Sequence, residues 1–320
     1  MSLTRRRLVG TGAGLAALGV GLSQFPAFAQ SATPDAFPVA TPNADGTRTI
    51  ATIHGDVTVP ANPTRIISVN FPSSVTLLEL GVAPVGITSY LPILPPSIKK
   101  PEGIPAIDDA TTGDLNLELI ASLKPDLIVG SDWLDPSLQQ APYADLTKIA
   151  PTALFEWKQA AGNWPIEAAG CAAAIGKSTE LAALKGKYDT HSASIKSTYA
   201  DVIAQFTWDV ISGSDANWYL YGPTSSHGAV AVAAGIRLNA AAKQTDGYVE
   251  ESFEQLNLLA ETDVLLVQQA SAEMLNAQAT YTALPAVKAK HAFASQYFFP
   301  SSYGISDALL DDIETALKSL

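Results

Sequence analysis

The sequence predicts an α/β fold: two similar lobes, each on a central parallel sheet, joined by one long interdomain helix. Three observations carry this. First, "LNLELIASLKPDLIVGSDW" (115–133) reads as an amphipathic helix, a Lys-Pro-Asp turn and a buried strand. "ESFEQLNLLAETDVLLVQQA" (251–270) repeats that order, with Asp126 and Asp263 at matching points before the apolar runs. Second, short apolar runs alternate with helical segments along both halves, the pitch expected of an open parallel sheet covered on both faces. Third, residues 165–205 have almost no strand signal. Leu181, Leu184, Tyr188, Ile195, Tyr199, Val202 and Phe206 recur there at helical spacings, which predicts a single long helix with one apolar stripe.

Taken in order, residues 1–29 combine Arg5, Arg6 and Arg7 with a Gly/Ala-rich apolar run and an Ala27-Phe28-Ala29 end. That pattern reads as a twin-arginine-type export signal cut before Gln30. Residues 30–46, rich in Pro, Ala and Thr, read as a disordered leader. The first lobe then spans 47–164. It opens with a hairpin around His54-Gly55-Asp56, where His54 is expected to be a solvated turn residue. "RIISV" follows as a buried strand, and "PSSVTLLELG" as a helix capped by Ser73 or Ser74 and stopped at Gly81. "APVGITSY" reads as a second short strand ending at Tyr90. After the 115–133 unit, one more helix and strand close the lobe at "TALFEW". A helical segment covers 165–206, and Cys171, the only cysteine, is expected to be a buried thiol within it. The second lobe, 207–320, has the strand "TWDVISG", the loop "SDANWYLYGPTSSHG", the small-residue helix "AVAVAAG", the repeated unit, and a terminal amphipathic helix.

The chain has 320 residues, 47% of them hydrophobic, enough for two cores without disulfides or metals. Cleavage after residue 29 removes three arginines and no acid, moving the formal net charge from -12 to about -15. So acidic a surface excludes nucleic acid as a partner. Catalytic patterns are absent: there is no G-x-S-x-G, no H-E-x-x-H and no zinc-spaced Cys/His pair, and Ser226-His227 adjacency is not a triad. The chain is therefore expected not to be an enzyme. Two lobes with matching loops would enclose a cleft at the carboxyl ends of their strands. The loops there are aromatic, with Tyr90, Trp133, Trp157, Trp218, Tyr221, Tyr248, Tyr297 and Tyr303 among them, which suits a large, flat or partly apolar ligand.

In order along the chain, "TIHGDVTVPANPTRIISV", "LLELGVAPVGITSY", "NLELIASLKPDLIVGS", "YGPTSSHGAVAVAAG", "SFEQLNLLAETDVLLV" and "LPAVKAKHAFA" resemble the periplasmic solute-binding proteins of iron-complex importers. Those proteins serve the uptake of ferric siderophores, haem or cobalamin. The resemblance implies a rigid pair of Rossmann-like lobes with a helical bridge, the helical-backbone siderophore-receptor type. It also implies an exported monomer at the periplasm or outer cell surface, partnered by an ABC permease with its ATPase. No intrinsic cofactor is implied; the ligand would be an Fe(III)–siderophore complex, with haem or cobalamin, or a sensor that does not deliver its ligand, as the alternatives. The ligand-binding candidates are Tyr90, Trp133, Trp157, Tyr221, Ser225, Ser226, His227, Tyr248, Tyr297 and Tyr303. Ferric iron prefers oxygen donors, so iron contact falls to Tyr297 or Tyr303, with His227 as the nitrogen alternative.

The chain departs from the family in two respects. Where relatives offer a docking glutamate, "LPPSIKKPEG" has Ser97, with Glu102 farther on as the one substitute, and the matching helix of the second lobe has no acid. Beyond the signal there are only three arginines, Arg48, Arg65 and Arg237, each expected away from the cleft. A neutral, hydroxamate-like complex therefore fits better than an anionic catecholate.

Overall fold

The computed structural model describes residues 40–133, 141–157, 163–240 and 247–320. The expected export signal and most of the expected leader lie outside them. Order begins earlier than residue 47: Asn43–Thr47 forms a turn, with Asn43 N–H on the Thr47 carbonyl at 2.7 Å, and Ala61 N–H donates to Gly46 at 2.9 Å.

Strands β1 (Thr47–Thr52) and β2 (Gly55–Pro60) form the expected antiparallel hairpin. His54 at its tip is exposed yet stacks on Tyr143, ring centroids 3.7 Å apart. A parallel sheet follows in the order β3 (Ile66–Ser68), β4 (Leu127–Trp133), β5 (Thr152–Trp157). The expected strand at 83–90 is reduced to single bridges, Ile67 to Gly86 and Ile87 to Ala106. Helix α1 (Phe71–Glu79) is capped by Asn70 rather than Ser73 or Ser74, Asn70 Oδ1 accepting Ser73 N–H at 3.3 Å. α2 (Leu117–Ser122) starts at Asn116, whose side chain accepts Leu119 N–H at 3.0 Å. α3 (Tyr143–Ile149) joins β4 to β5, and α4 (Trp164–Ala174) packs on β5 with Cys171 fully buried, as the composition of that stretch suggested.

The expected single helix over 178–206 is two, α5 (Ser178–Thr198) and α6 (Ala200–Gln205), broken at Tyr199 with φ -106° and ψ 20°. Leu181 of α5 lies in the first core with Val129, Phe155 and Cys171, while Ile195 lies in the second with Val210 and Leu266. The last helix, α11 (Tyr303–Ser319), does the same: Tyr303 joins the first core and Leu309, Leu310 and Ile313 the second.

The second sheet runs β10-β9-β6-β7-β8 and is mixed, not parallel throughout. β6 (Trp208–Gly213), β9 (Val264–Gln268) and β10 (Ala292–Ser295) are parallel, whereas β7 (Asn217–Tyr221) and β8 (Tyr248–Ser252) add antiparallel strands. Trp218 and Tyr221 thus sit on a strand inside what reads as a loop. α7 (Ser226–Ala233) matches the small-residue helix. The amphipathic segment before β9 is a 3-10 helix (Phe253–Leu259), and short helices α8 (Ala272–Asn276), α9 (Ala279–Thr282) and α10 (Pro285–Lys288) lead to β10.

The repeated Asp has a shared job. Asp126 accepts from Thr64 N–H at 2.8 Å, Thr64 Oγ1 at 3.0 Å and Arg65 N–H at 2.9 Å, fixing the chain just before β3. Asp263 takes Thr207 N–H and Oγ1, both at 2.8 Å, just before β6. Each carboxylate ties its own strand's start to that of a neighbouring strand. Asp126→Ala is expected to cost about 2 kcal/mol, and Asp263→Ala less, because hydrogen bonds to a charged acceptor are lost and backbone donors left unpaired. Urea denaturation of the two variants checks the order.

Candidate functional site

At the carboxyl ends of β3, β4 and β5, a cavity of about 500 Å³ opens, the place where open α/β sheets bind ligands. Asn70 and Phe71 reach it from the turn after β3, Ser131 and Asp132 from β4, Trp157 from the end of β5, and Asp114 from the loop before α2. Phe71 meets Trp157 edge-on, ring centroids 5.8 Å apart, so two aromatic rings form one wall, and Tyr90, outside the lining, packs on Phe71 at 5.3 Å. Tyr90 remains 58% exposed. Trp133 pairs with Trp157 in the strand register.

The polar side of the cavity rests on a buried network. Asn70 spends its oxygen on the α1 cap and donates its amide to Ser131 Oγ. Behind them Ser73 Oγ donates to Glu167 Oε1 at 2.5 Å. Glu167 is fully buried, and burial pushes its carboxyl up to about 7, with Ser73, Asn70 and Ser131 opposing the shift. Asp132 is 4% exposed and accepts Ala141 N–H at 3.2 Å.

None of the chain's arginines beyond the leader reaches this wall. Arg48 donates to the Ala61 carbonyl at 2.7 Å. Arg65 Nε donates to the Leu123 and Lys124 carbonyls at the end of α2, and Arg237 to those of Ile203 and Ala204 at the end of α6. Guanidinium groups at helix C-termini satisfy orphan carbonyls. Among the described residues no three His, Cys, Asp or Glu side chains converge to hold a metal ion.

The family model of the periplasmic binding proteins matches residues 66–295, which includes every element around the cavity. The chain belongs to the periplasmic binding protein family. Of curated relatives, a putative ABC transporter substrate-binding lipoprotein of Bacillus subtilis, YhfQ, is 30% identical over 52% of each chain. The Fe(3+)-citrate-binding protein YfmC of the same organism is 29% identical over 69% of this chain and 68% of its own. The chain spans about half the length of the first curated relatives it matches. Among solved structures, the siderophore periplasmic binding protein from the fuscachelin gene cluster of Thermobifida fusca superposes with TM-score 0.71 at 24% identity, over 82% of this chain and 99% of that one. Vibrio cholerae FhuD with bound Fe3+–Desferal superposes with TM-score 0.64 at 22% identity, over 79% and 97%. These likenesses establish the shared fold.

In this periplasmic binding protein the other sequence candidates divide. Tyr221 and His227 are buried together, ring centroids 4.1 Å apart, and Phe298 and Phe299 close on His227 at 4.3 and 5.0 Å. His227 is 0% exposed; burial pushes it down to about 3, so the ring is neutral. Ser226 Oγ lies 3.2 Å from its Nδ1. Tyr221 shares a 2.9 Å hydrogen bond with Ser212. Ser225 caps α7, accepting Gly228 N–H at 3.0 Å and donating to Gly222 at 2.8 Å. Tyr221, Ser225, Ser226 and His227 are all buried, and among the described residues His227 Nε2 has no hydrogen-bond partner. Tyr248 and Tyr297 are half-buried at the margin of the second core. Tyr303, expected at a strand end, instead starts α11 in the first core between Trp164 and Tyr188, centroids 4.8 and 5.8 Å away, and burial drives its phenol well above the ordinary range. Glu102 is exposed on a turn.

Phe71, Asn70, Asp114, Ser131, Asp132 and Glu167 are not among the sequence candidates. Glu167 did carry a signal: it is the lone acid in "IEAAGCAAA", a helix otherwise built of small and apolar residues.

Proposed function

We propose that this chain is the extracytoplasmic solute-binding component of an ABC importer and captures a ferric siderophore at the carboxyl ends of its strands. The observation that carries the reading is the aromatic-walled cavity at that end of a sheet whose family binds solutes for transport. The names of its relatives support iron complexes as the cargo. A neutral, hydroxamate-like complex is favoured because all three arginines beyond the expected export signal are bonded to backbone carbonyls away from the cavity. Iron is then carried as its complex, with the chelator supplying the oxygen donors and the protein supplying shape and aromatic contact. Ser97 in place of a docking acid supports a second reading, capture without delivery. Growth on the captured complex in cells lacking or carrying the permease separates the two.

Tryptophan quenching of the mature protein against ferric hydroxamates, ferric catecholates, haem and cobalamin tests the ligand class. Saturable quenching by a hydroxamate with Kd of about 1 µM or tighter is expected. Trp157 is the expected reporter; Trp208 and Trp218 are fully buried, and Trp218 Nε1 is bonded to the Ser252 carbonyl at 2.9 Å. Trp157→Phe should therefore remove most of the signal. Silence from every complex would reject the iron reading.

A further inference from the structure

Resting on that reading, we infer that Asn70 and Ser131 donate hydrogen bonds to an acceptor oxygen of the bound complex, and that buried Glu167 is a positioning residue that decides whether those donors face the cavity.

The first support is the direction of the hydrogen bonds. Asn70 and Ser131 both line the cavity, each half-buried. The Asn70 oxygen is committed to Ser73 N–H, which turns its amide nitrogen toward Ser131. One amide proton goes to Ser131 Oγ and the second is spare. Because Ser131 Oγ accepts there, its own O–H is left to donate, and among the described residues no acceptor takes it. The pair thus holds an N–H and an O–H for the cavity. An acceptor oxygen of a neutral complex, a carbonyl or an iron-bound hydroxamate oxygen, is what such donors match.

The second support is the carboxyl behind the pair. Glu167 is 0% exposed; its Oε1 takes the Ser73 O–H at 2.5 Å, and among the described residues its Oε2 has no hydrogen-bond partner. Asn70 and Ser131 are the other polar side chains that act on this carboxyl. While it is neutral, they are left to the cavity. Once it gives its proton to solvent, it becomes a buried acceptor at both oxygens, and the Ser131 O–H and the spare Asn70 N–H are the donors within reach. Drawn inward, they are lost to the ligand. Burial holds the carboxyl at about 7, so both states are reached near neutral pH.

Charged groups on the surrounding elements point elsewhere. Asp132 and Glu156 pair in the strand register, one residue out of step with Ser131 and Phe155, and so face the opposite side of the sheet. Phe155 lies on the α4 side, where a Cβ at Gly170 would meet its ring. Within α4, Cys171 is fully buried, and burial, with the Glu167 charge second, keeps its thiol protonated. Burial likewise keeps the phenols of Tyr188 and Tyr303 neutral in this core. Arg48 of β1 reaches only the far end of α4, against Gly176, and Lys177 at the start of α5 pairs with Glu180. From α1, Ser73 meets Glu167, while Glu79 at the other end of that helix accepts Gly304 N–H.

The experiment titrates the full mature chain with a neutral ferric trihydroxamate that has no ionisable amine, reading Kd by tryptophan quenching at pH 6 and pH 8.5. Binding is expected to be about fivefold weaker at pH 8.5, the loss of a hydrogen bond or two. Glu167→Gln, which cannot ionise, is expected to bring that ratio close to one. Ser131→Ala is expected to weaken binding about fivefold at pH 6 and to flatten the profile as well. Glu79→Gln is the control: burial holds that carboxyl at about 7 too, but it stands outside the cavity lining, so the ratio should survive its loss. Circular dichroism at both pH values confirms that each protein is folded where its Kd is read. A parent ratio close to one, a ratio that persists in folded Glu167→Gln, or one lost equally in Glu79→Gln would overturn the inference while leaving the iron-complex reading intact. Should Glu167→Gln fail to fold, Ser131→Ala decides, and unchanged binding at pH 6 would overturn it. No binding at either pH would reject the iron-complex reading, and this inference with it.

Discussion

Stability is expected to fall by about 3 kcal/mol between about pH 5 and pH 8, through two buried carboxyls that hold protons in the folded state. Burial pushes Glu167 up to about 7, and it pushes Glu79 up to about 7 against the opposing hydrogen bonds at the start of α11. The unfolded chain releases both protons near the ordinary value of 4.5. The stability they confer is thus complete below about pH 4.5 and lost as pH rises through about 7. His227 works against them: burial pushes it down to about 3, so its contribution is present above its ordinary value of 6.5 and lost as pH falls. Two groups against one leave a net decline. Thermal melts near pH 5 and pH 8 measure it. Glu167→Gln and Glu79→Gln should each flatten the profile by removing one proton step. An unchanged slope in both variants would mean that these carboxyls are ionised in the folded protein.

Gly228→Ala is expected to cost about 3 kcal/mol, because the new methyl meets backbone. A Cβ at Gly228 would stand 2.0 Å from the Gly222 carbonyl oxygen and 2.7 Å from Ser225 Oγ. Neither can yield easily, since Ser225 is bonded both to that carbonyl and to Gly228 N–H. Relief would open the α7 cap and shift the neighbouring His227 within its aromatic box. Gly186, in α5, is the control: a Cβ there meets nothing within 4 Å, so Gly186→Ala should stabilise by about 0.5–1 kcal/mol. A melting temperature of Gly228→Ala within a degree or so of the parent would show that the turn before α7 is far softer than its hydrogen bonds suggest.

The largely apolar runs at 66–69 and 127–130 were legible because a strand buried on both faces leaves a near-continuous apolar trace. β7 was not, because "NWYLY" lies between loop-like residues and its aromatic side chains alternate between core and margin. The break at Tyr199 has neither Gly nor Pro to mark it. At the site, aromatic character was legible and placement was not. Trp157 lines the cavity while Trp218 is sealed in a core, a difference that comes from strand pairing. The Ser73–Glu167 hydrogen bond joins residues 94 apart in the chain, a pairing that no local pattern encodes.

Asp126 and Asp263 fasten the amino ends of their strands, whereas the cavity lies at the carboxyl ends of the first sheet. What holds the scaffold together is thereby segregated from the proposed ligand site. On the proposed reading, substitutions at positions 70–71, 114 and 131–132 would alter the choice of cargo with the strand-start anchors untouched. If the proposed cargo is right, a lineage carrying this arrangement is free to follow changing chelators in its surroundings without renegotiating its fold at each step.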